Sequence, residues 1–207
     1  MRPTRYGDAP KRFAVIGTHN AGKTTICHGV TARLRAQGLD ATYSPEPSRT
    51  SRFLASGIRN ITSQLDLFVR TIANELEAGR QAAIVICDRS ILEVLAYSAQ
   101  MTGADGQEAR LAKAMVAFAE EYVQSYDVLF RVGWRFPMAD SSDPIRIGDA
   151  GFQEAIDTST DAFASRFGCA VVPLQSPETA VMDIEREILR RLAADTAPSE
   201  SSGAELM

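Results

Sequence analysis

The chain is poor in the residues that mark secreted, metal-stapled or membrane-embedded proteins. It has three cysteines, Cys27, Cys87 and Cys169. Their odd number and lack of ligand spacing argue against a disulfide framework or a zinc site. Each lies in an apolar segment, so buried thiols in a reducing cytoplasm are expected. No His/Cys cluster suggests a structural metal. No apolar run reaches the ~18 residues that a bilayer-spanning helix needs. The opening MRPTRYGDAPKR lacks the apolar stretch of a signal peptide, and no membrane association is expected. A basic excess is also missing: 22 Lys and Arg stand against 26 Asp and Glu, a net charge of −4. Tight non-specific nucleic-acid binding is therefore not favoured, although a local basic groove stays open. No internal repeat is visible.

What is present begins at Arg12. Phe13 to Ile16 is a short apolar run rich in β-branched residues and bounded by a glycine, which reads as a buried strand. Gly17 to Thr24, GTHNAGKT, then fits G-x-x-x-x-G-K-[ST] at every fixed position. An amphipathic helix follows, with Ile26, Cys27, Val30 and Leu34 inward. This order suits phosphate binding. Glycines let the backbone wrap an anion, and the first helical turn adds unpaired N–H groups and the positive dipole end. Gly17, Asn20, Ala21, Gly22, Lys23, Thr24 and Thr25 are the candidate nucleotide-binding residues. Lys23 would reach the terminal phosphates, and the Thr24 hydroxyl would ligate Mg²⁺. The alternative, a chance match in a glycine-containing turn, is weakened by the strand before it and the helix after it. Binding of ATP with Mg²⁺ is expected.

The rest of the chain alternates strands with helices. Strands are expected at 40–44, 82–87, 127–132 and 169–174. Helices are expected at 48–54, 61–77 (ended by Gly79, with Leu65, Phe68, Ile72 and Leu76 as its apolar face), 91–101, 108–125, 152–167 and 177–194. This pattern predicts an α/β fold with a doubly wound, parallel, five-stranded sheet in one domain over 12–194. Residues 1–11 read as a loose arm and 195–207 as a disordered tail. Residues 134–151 have no clean period and read as a lid loop.

Ligands of such sheets collect at the carboxyl ends of the strands. There the second strand gives Glu46 and Arg49, the third Asp88 and Arg89, and the fourth Arg131 and Arg135. Asp88, at the tip of an apolar strand, has the placement of a carboxylate that faces Mg²⁺; the alternative is a cap on the next helix. Glu46, in the rigid frame PEPSR, is a candidate general base, or else a solvated loop acid. Arg146, in the lid, could neutralise charge during phosphoryl transfer, or pair with Asp143 or Asp149 on the surface. Arg135 is the second candidate for that role. Trp134 and Phe136 could stack on a base, but packing is the commoner role. His19 falls at a free position of the motif and receives no acid–base role; His28 reads as structural.

These residues resemble the P-loop nucleoside and nucleotide kinases, with nicotinamide riboside kinase-like and thymidylate kinase-like ATPases as the nearest branch. The carrying segments are GTHNAGKTT, Pro45 to Arg49, Gln64 in SQLDLF with DRSILEVLAY from Asp88 to Tyr97, and DPIRIGDAGFQEAI. The resemblance implies a P-loop kinase fold. It implies Lys23 and Thr24 on phosphate and Mg²⁺, Asp88 organising Mg²⁺, and Glu46 as base or substrate ligand. Arg89 would contact substrate or phosphate, Arg146 would be the lid arginine, and Gln64 and Arg49 would lie near the acceptor; for Gln64 a helix-surface position stays open. Position 93 is Glu where the branch often has Asp. Pro45 stands where thymidylate kinases carry Arg, which argues against a monophosphate acceptor. The label AAA-type ATPase, often given to this branch, is expected not to fit, since no sensor or arginine-finger module is evident.

The leading expectation is an ATP-dependent kinase that phosphorylates a hydroxyl of a nucleoside-like or nucleotide-like small molecule. Two alternatives stand beside it. One is a kinase acting on a modified base or end of a polynucleotide, such as a hydroxymethylated DNA base. The other is a regulatory NTPase switch that uses residues 134–151. A homodimer is compatible with either.

Overall fold

The computed structural model describes residues 9–101, 106–136 and 150–196. Five strands, β1 (Lys11–Ile16), β2 (Ala41–Ser44), β3 (Ile84–Asp88), β4 (Val128–Val132) and β5 (Val171–Leu174), form one parallel sheet in the order β2-β3-β1-β4-β5. Around it lie α1 (Lys23–Ala36), α2 (Arg52–Ala55), α3 (Ile61–Gln81), α4 (Ile91–Met101), α5 (Gly106–Tyr122), α6 (Ala150–Arg166) and α7 (Ala180–Thr196).

The chain steps one way from β1 to β2 and the other way from β2 onward. Right-handed crossovers then put the first connection on the face opposite the later ones. The side chains follow. In β1, Phe13 and Val15 pack with Ile26, Val30 and Leu34 of α1 and with Ile184 and Ile188 of α7. Ala14 and Ile16 point the other way, into a core with Leu67 and Phe68 of α3, Leu92 and Leu95 of α4, Met115 of α5 and Ala164 of α6. Each large aliphatic or aromatic side chain buried there contributes about 1.5–3 kcal/mol of transfer free energy. The expected doubly wound, five-stranded sheet is the one observed, and the inward residues of α1 are those expected.

The structure corrects three local expectations. Residues 48–54 form no single helix: a 3₁₀ turn, Pro47–Thr50, is broken from α2 by Ser51 in extended conformation. Helix α3 does not stop before Gly79 but runs through it to Gln81. A Cβ at Gly79 would lie 2.7 Å from the ring of Pro10, so this glycine is used for close approach rather than termination. The buried face of α3 is also rotated from the expected one. Gln64, Leu67, Phe68, Thr71, Glu75 and Ala78 are buried, and Leu76 is half exposed. Two polar residues and one acid thus point inward where an apolar stripe was read. The start of α3 is fixed locally: Asn60 Oδ1 accepts from the amides of Thr62 and Ser63, and the Asn60 amide donates to Ser63 Oγ. Such a reciprocal cap stabilises a helix by about 1 kcal/mol.

Glu75 is the most deeply placed of these polar groups. Its carboxylate accepts hydrogen bonds from Tyr122 Oη at 2.9 Å and Tyr126 Oη at 2.8 Å. Burial outweighs those bonds and pushes its pKa up to about 7. Among the described residues no helix is long and apolar enough to cross a membrane. Cys27 and Cys87 are buried free thiols and Cys169 is partly buried, as their apolar surroundings imply.

Candidate active site

The carboxyl ends of β1, β2 and β3 open into one cavity of about 390 Å³. Its near wall is the loop between β1 and α1. The loop turns through Gly17 (φ 141°), Asn20 (φ 62°) and Gly22 (φ 77°), and residues 19–25 line the cavity. At Gly22 a side chain would meet the Phe136 ring at 3.1 Å. Phe136 is itself tied to the loop: its amide donates to the Asn20 carbonyl at 2.9 Å, and Asn20 Nδ2 donates to the Phe136 carbonyl at 2.5 Å. The segment after β4 thus lies against the turn between β1 and α1.

Lys23 is only 5% exposed. Its Nζ donates to the carbonyls of Gly17 at 2.5 Å and Thr18 at 2.6 Å. Burial, with the nearby Arg89 cation, lowers its pKa to about 8. Beside it, Thr24 Oγ1 donates to Asp88 Oδ2 at 2.6 Å, and Tyr43 Oη donates to the same oxygen at 2.9 Å. The other carboxylate oxygen, Asp88 Oδ1, is buried without a partner. The helix-cap alternative for Asp88 does not hold, because Ser90 Oγ accepts the Leu92 amide and Glu93 accepts the Ser90 amide. A hydroxyl and an unsatisfied carboxylate oxygen are the hard oxygen donors that Mg²⁺ takes. Among the described residues no group of three or more His, Cys, Asp or Glu could hold a metal unaided. The donors of Thr24 and Asp88 therefore fit a cation that draws its other ligands from phosphate and water.

Arg89 organises the next part of the wall. It follows the tip of β3 with φ 81°, in the left-handed region, and its amide donates to the Val15 carbonyl. Its guanidinium pairs with Glu46 at 2.6 Å and Glu93 at 3.3 Å. Burial acts against its charge, but the two carboxylates prevail and raise its pKa. Burial likewise pushes the Glu46 carboxyl up, while Arg89 and Lys23 more than offset this and hold it below the usual range. Glu46 is thus anionic, and Ser48 Oγ donates to it at 2.7 Å. Glu93 Oε1 also accepts the Gly17 amide at 3.2 Å, which couples the strand-tip ion pairs to the loop.

The far wall is built by α3 and α4. Gln64 is 2% exposed, so the helix-surface alternative does not hold. Its Nε2 donates to Met101 Sδ at 3.5 Å, and its Oε1 is buried without a partner. Leu54, Leu67 and Val94 supply apolar wall, and Arg49, exposed on the surface, reaches the rim. The cavity thus joins Lys23, Thr24, Glu46, Arg49, Gln64, Asp88 and Arg89. Arg146 lies outside the described residues. Arg135 pairs with Asp157 at 2.7 Å, and Asp157 also accepts the Thr18 amide. Trp134 packs against the α1/α7 core, so of the two aromatics only Phe136 reaches the cavity.

Sequence reading missed the positioning role of Glu93, although Ser90-x-x-Glu93 is a capping-box pattern that could have shown it. It gave no place to Asp157, which is 139 residues from its partner Thr18 and leaves no local signal. His19 is also more than a free position of the motif. It is buried, with Nδ1 3.2 Å from Tyr97 Oη and Nε2 2.7 Å from Gln153 Nε2, and it links the loop to α4 and α6. His28, exposed on α1, lies against Tyr43 with the ring centroids 4.2 Å apart and the planes tilted by 37°.

A parallel sheet in this order, with a glycine loop and its lysine at the central strand, defines a P-loop protein of the nucleotide-kinase type. Residues 12–180 match the family AAA_28, described as an AAA domain, and the chain belongs to that family. The AAA description set aside on the sequence is thus the one its family carries. The thymidylate kinase of Rhizorhabdus wittichii (strain DSM 6014) is 32% identical over 115 residues, 47% of this chain and 52% of that protein. The chain thus spans about half the length of the curated relative it matches. Among solved structures, deoxyadenosine kinase from M. mycoides with bound dATP superimposes with a TM-score of 0.59 at 16% identity, covering 86% of this chain and 99% of that one. The same enzyme with dCMP and dCDP gives 0.60 at 14% identity, with the same coverage. These likenesses establish the fold.

Proposed function

We propose that the protein is a kinase that transfers the γ-phosphoryl group of ATP to a hydroxyl of a nucleoside-like acceptor. The observation that carries this reading is the continuity of the cavity. Phosphate-binding and metal-binding groups line one end. A charged Glu46 and a buried, unpaired Gln64 oxygen line the other. A hydrolytic switch needs only the first end. The thymidylate kinase relative and the deoxyadenosine kinase neighbours support the acceptor class.

In this reading Lys23 leaves the Gly17 and Thr18 carbonyls and takes up phosphate oxygens. Mg²⁺, held by Thr24 and Asp88 with the nucleotide, would offset charge on the transferred group. Glu46 accepts the proton of the attacking hydroxyl, and Arg89 keeps it ionised until then. Gln64 orients the acceptor by hydrogen bonding, and Arg49 interacts with it at the rim. Arg146 is the lid arginine. Leu54, Leu67 and Val94 exclude water from the transfer path.

The test is consumption of ATP with Mg²⁺ across nucleosides, nucleoside monophosphates, nicotinamide riboside and hydroxymethylated DNA, beside Lys23→Ala. A nucleoside that raises turnover well above background and yields its phosphorylated product supports the proposal. Turnover raised by the DNA alone moves the acceptor to a polynucleotide. Slow hydrolysis that no acceptor changes favours the switch.

A further inference from the structure

Asp88, the carboxylate that fits the cation, is held by a residue to which no role has been given. Tyr43 stands on β2, at the edge of the sheet, where it is in register with Ile86 of β3. It is a half-buried neighbour of the core under α1. A phenylalanine ring would serve that packing equally well. The hydroxyl has a different use: Tyr43 Oη donates to Asp88 Oδ2 at 2.9 Å, beside the 2.6 Å bond from Thr24 Oγ1. Among the described residues Thr24 and Asp88 line the cavity and Tyr43 does not. The phenol thus reaches the carboxylate from behind and acts on a bound nucleotide or cation only through Asp88.

The two donors decide which oxygen of Asp88 is left over. A carboxylate turns in a broad, two-fold well about its last torsion, so its oxygens exchange unless something tells them apart. Each oxygen accepts about two hydrogen bonds. On Oδ2, Thr24 takes one and Tyr43 the other, which fills that oxygen and fixes the plane of the group. Oδ1 remains, buried and without a partner. Thr24 alone would leave the carboxylate free to swing about a single bond. Thr24 is also the residue whose oxygen a hard cation would take, so Tyr43 is the anchor with no second duty.

That anchor is in step with the helix that supplies Thr24. The Tyr43 ring lies against His28, and His28 follows Thr24 by one turn of α1, on the same face. One turn of helix thus presents Thr24 to the carboxylate and His28 to the ring that holds it. Thr24, Asp88, Tyr43 and His28 close a circuit that ties α1, β3 and β2 together beside the unpaired oxygen.

We infer that Tyr43 is a positioning residue for Mg²⁺, whose hydroxyl holds Asp88 so that Oδ1 is kept for the cation that accompanies the nucleotide. The inference rests on the proposed binding of nucleotide with Mg²⁺ and is independent of the acceptor.

Calorimetry of the full chain with AMP-PNP, a non-hydrolysable ATP analogue, tests it. The wild type and Tyr43→Phe are each titrated in excess Mg²⁺ and in EDTA, and the ratio of the two affinities is the gain due to the metal. The wild type should show a gain. Tyr43→Phe should reduce it about tenfold, the worth of one hydrogen bond to a charged group, with the affinity in EDTA unchanged. Equal gains in the two proteins overturn the inference and leave the nucleotide site standing. A variant weakened to the same extent in Mg²⁺ and in EDTA overturns it too, because Tyr43 then supports the loop as a whole and not the carboxylate of the metal. A wild type that binds the analogue with no gain from Mg²⁺ overturns the metal reading, and the inference fails with it. Thermal unfolding of both proteins without nucleotide separates a lost metal gain from a lost fold.

Discussion

Glu75→Gln should remove a pH dependence that the fold itself creates. In the folded chain the Glu75 carboxyl has a pKa of about 7, against 4.5 for the ordinary group. The sign follows from proton counts. Between pH 4.5 and 7 the unfolded chain has released this proton and the folded chain has kept it. Stability from this group therefore falls as pH rises through that window, and the loss is complete above pH 7. At about 1.36 kcal/mol per pH unit the full cost is roughly 3 kcal/mol, of which about 2.5 kcal/mol appears between pH 5 and 8. Glutamine, like the protonated acid, keeps one carbonyl oxygen as acceptor for a tyrosine and sets a donor against the other tyrosine hydroxyl, and it cannot ionise. Urea unfolding of both proteins at pH 5, 6, 7 and 8 isolates the effect, since every other titrating group cancels in the difference. The variant should gain about 2–3 kcal/mol on the wild type between pH 5 and pH 8. A constant offset across that range would refute the reasoning and show that Glu75 titrates in the folded protein as it does in water.

Binding of ATP should weaken as pH rises above about 8, where Lys23 loses its proton. The slope approaches tenfold per pH unit, and calorimetry in buffers of different ionisation enthalpy should show proton uptake on binding. Gln64→Leu should raise the acceptor KM about tenfold, by loss of one buried hydrogen bond, and leave the ATP KM and the folding free energy almost unchanged. Arg89→Gln should cost about 3–5 kcal/mol of stability at pH 7, because Glu46 and Glu93 lose their shared cation; urea unfolding at pH 5 should show part of that loss relieved as the carboxyls take protons. Gly22→Ala should abolish ATP binding measured by calorimetry, because the residue combines a left-handed φ with a 3.1 Å approach to Phe136.

What the sequence revealed was whatever repeats at short range. The strand–glycine–helix order around Gly17 to Thr24, the apolar runs of β1 and β3 and the inward face of α1 all follow from spacing within a few residues. The Asp88 position was legible because a strand tip is a local feature. The α3 face was misread because Gln64, Thr71 and Glu75 are polar, and their burial is repaid by Met101, by backbone carbonyls and by tyrosines on other elements. Asp157 was hidden for the same reason, since it accepts an amide hydrogen from a loop far away in sequence. Glu93 left a local trace in its cap of the Ser90 amide, but its bond to the Gly17 amide has none.

The turn at Arg89 has a consequence for how the site keeps its shape. A bulky residue with φ 81° stores strain of about 1–3 kcal/mol, and the turn persists only because other contacts prevent its release. Those contacts come from three directions: Val15 holds the backbone, Glu46 one side of the guanidinium and Glu93 the other. Asp88 is the residue immediately before this turn. Its bearing is thus calibrated from outside, by two acids that never touch it, much as a compass needle is set by magnets at a distance. Drift in Glu46 or Glu93 is therefore read out as misalignment at Thr24, even with the phosphate loop and Asp88 themselves unaltered.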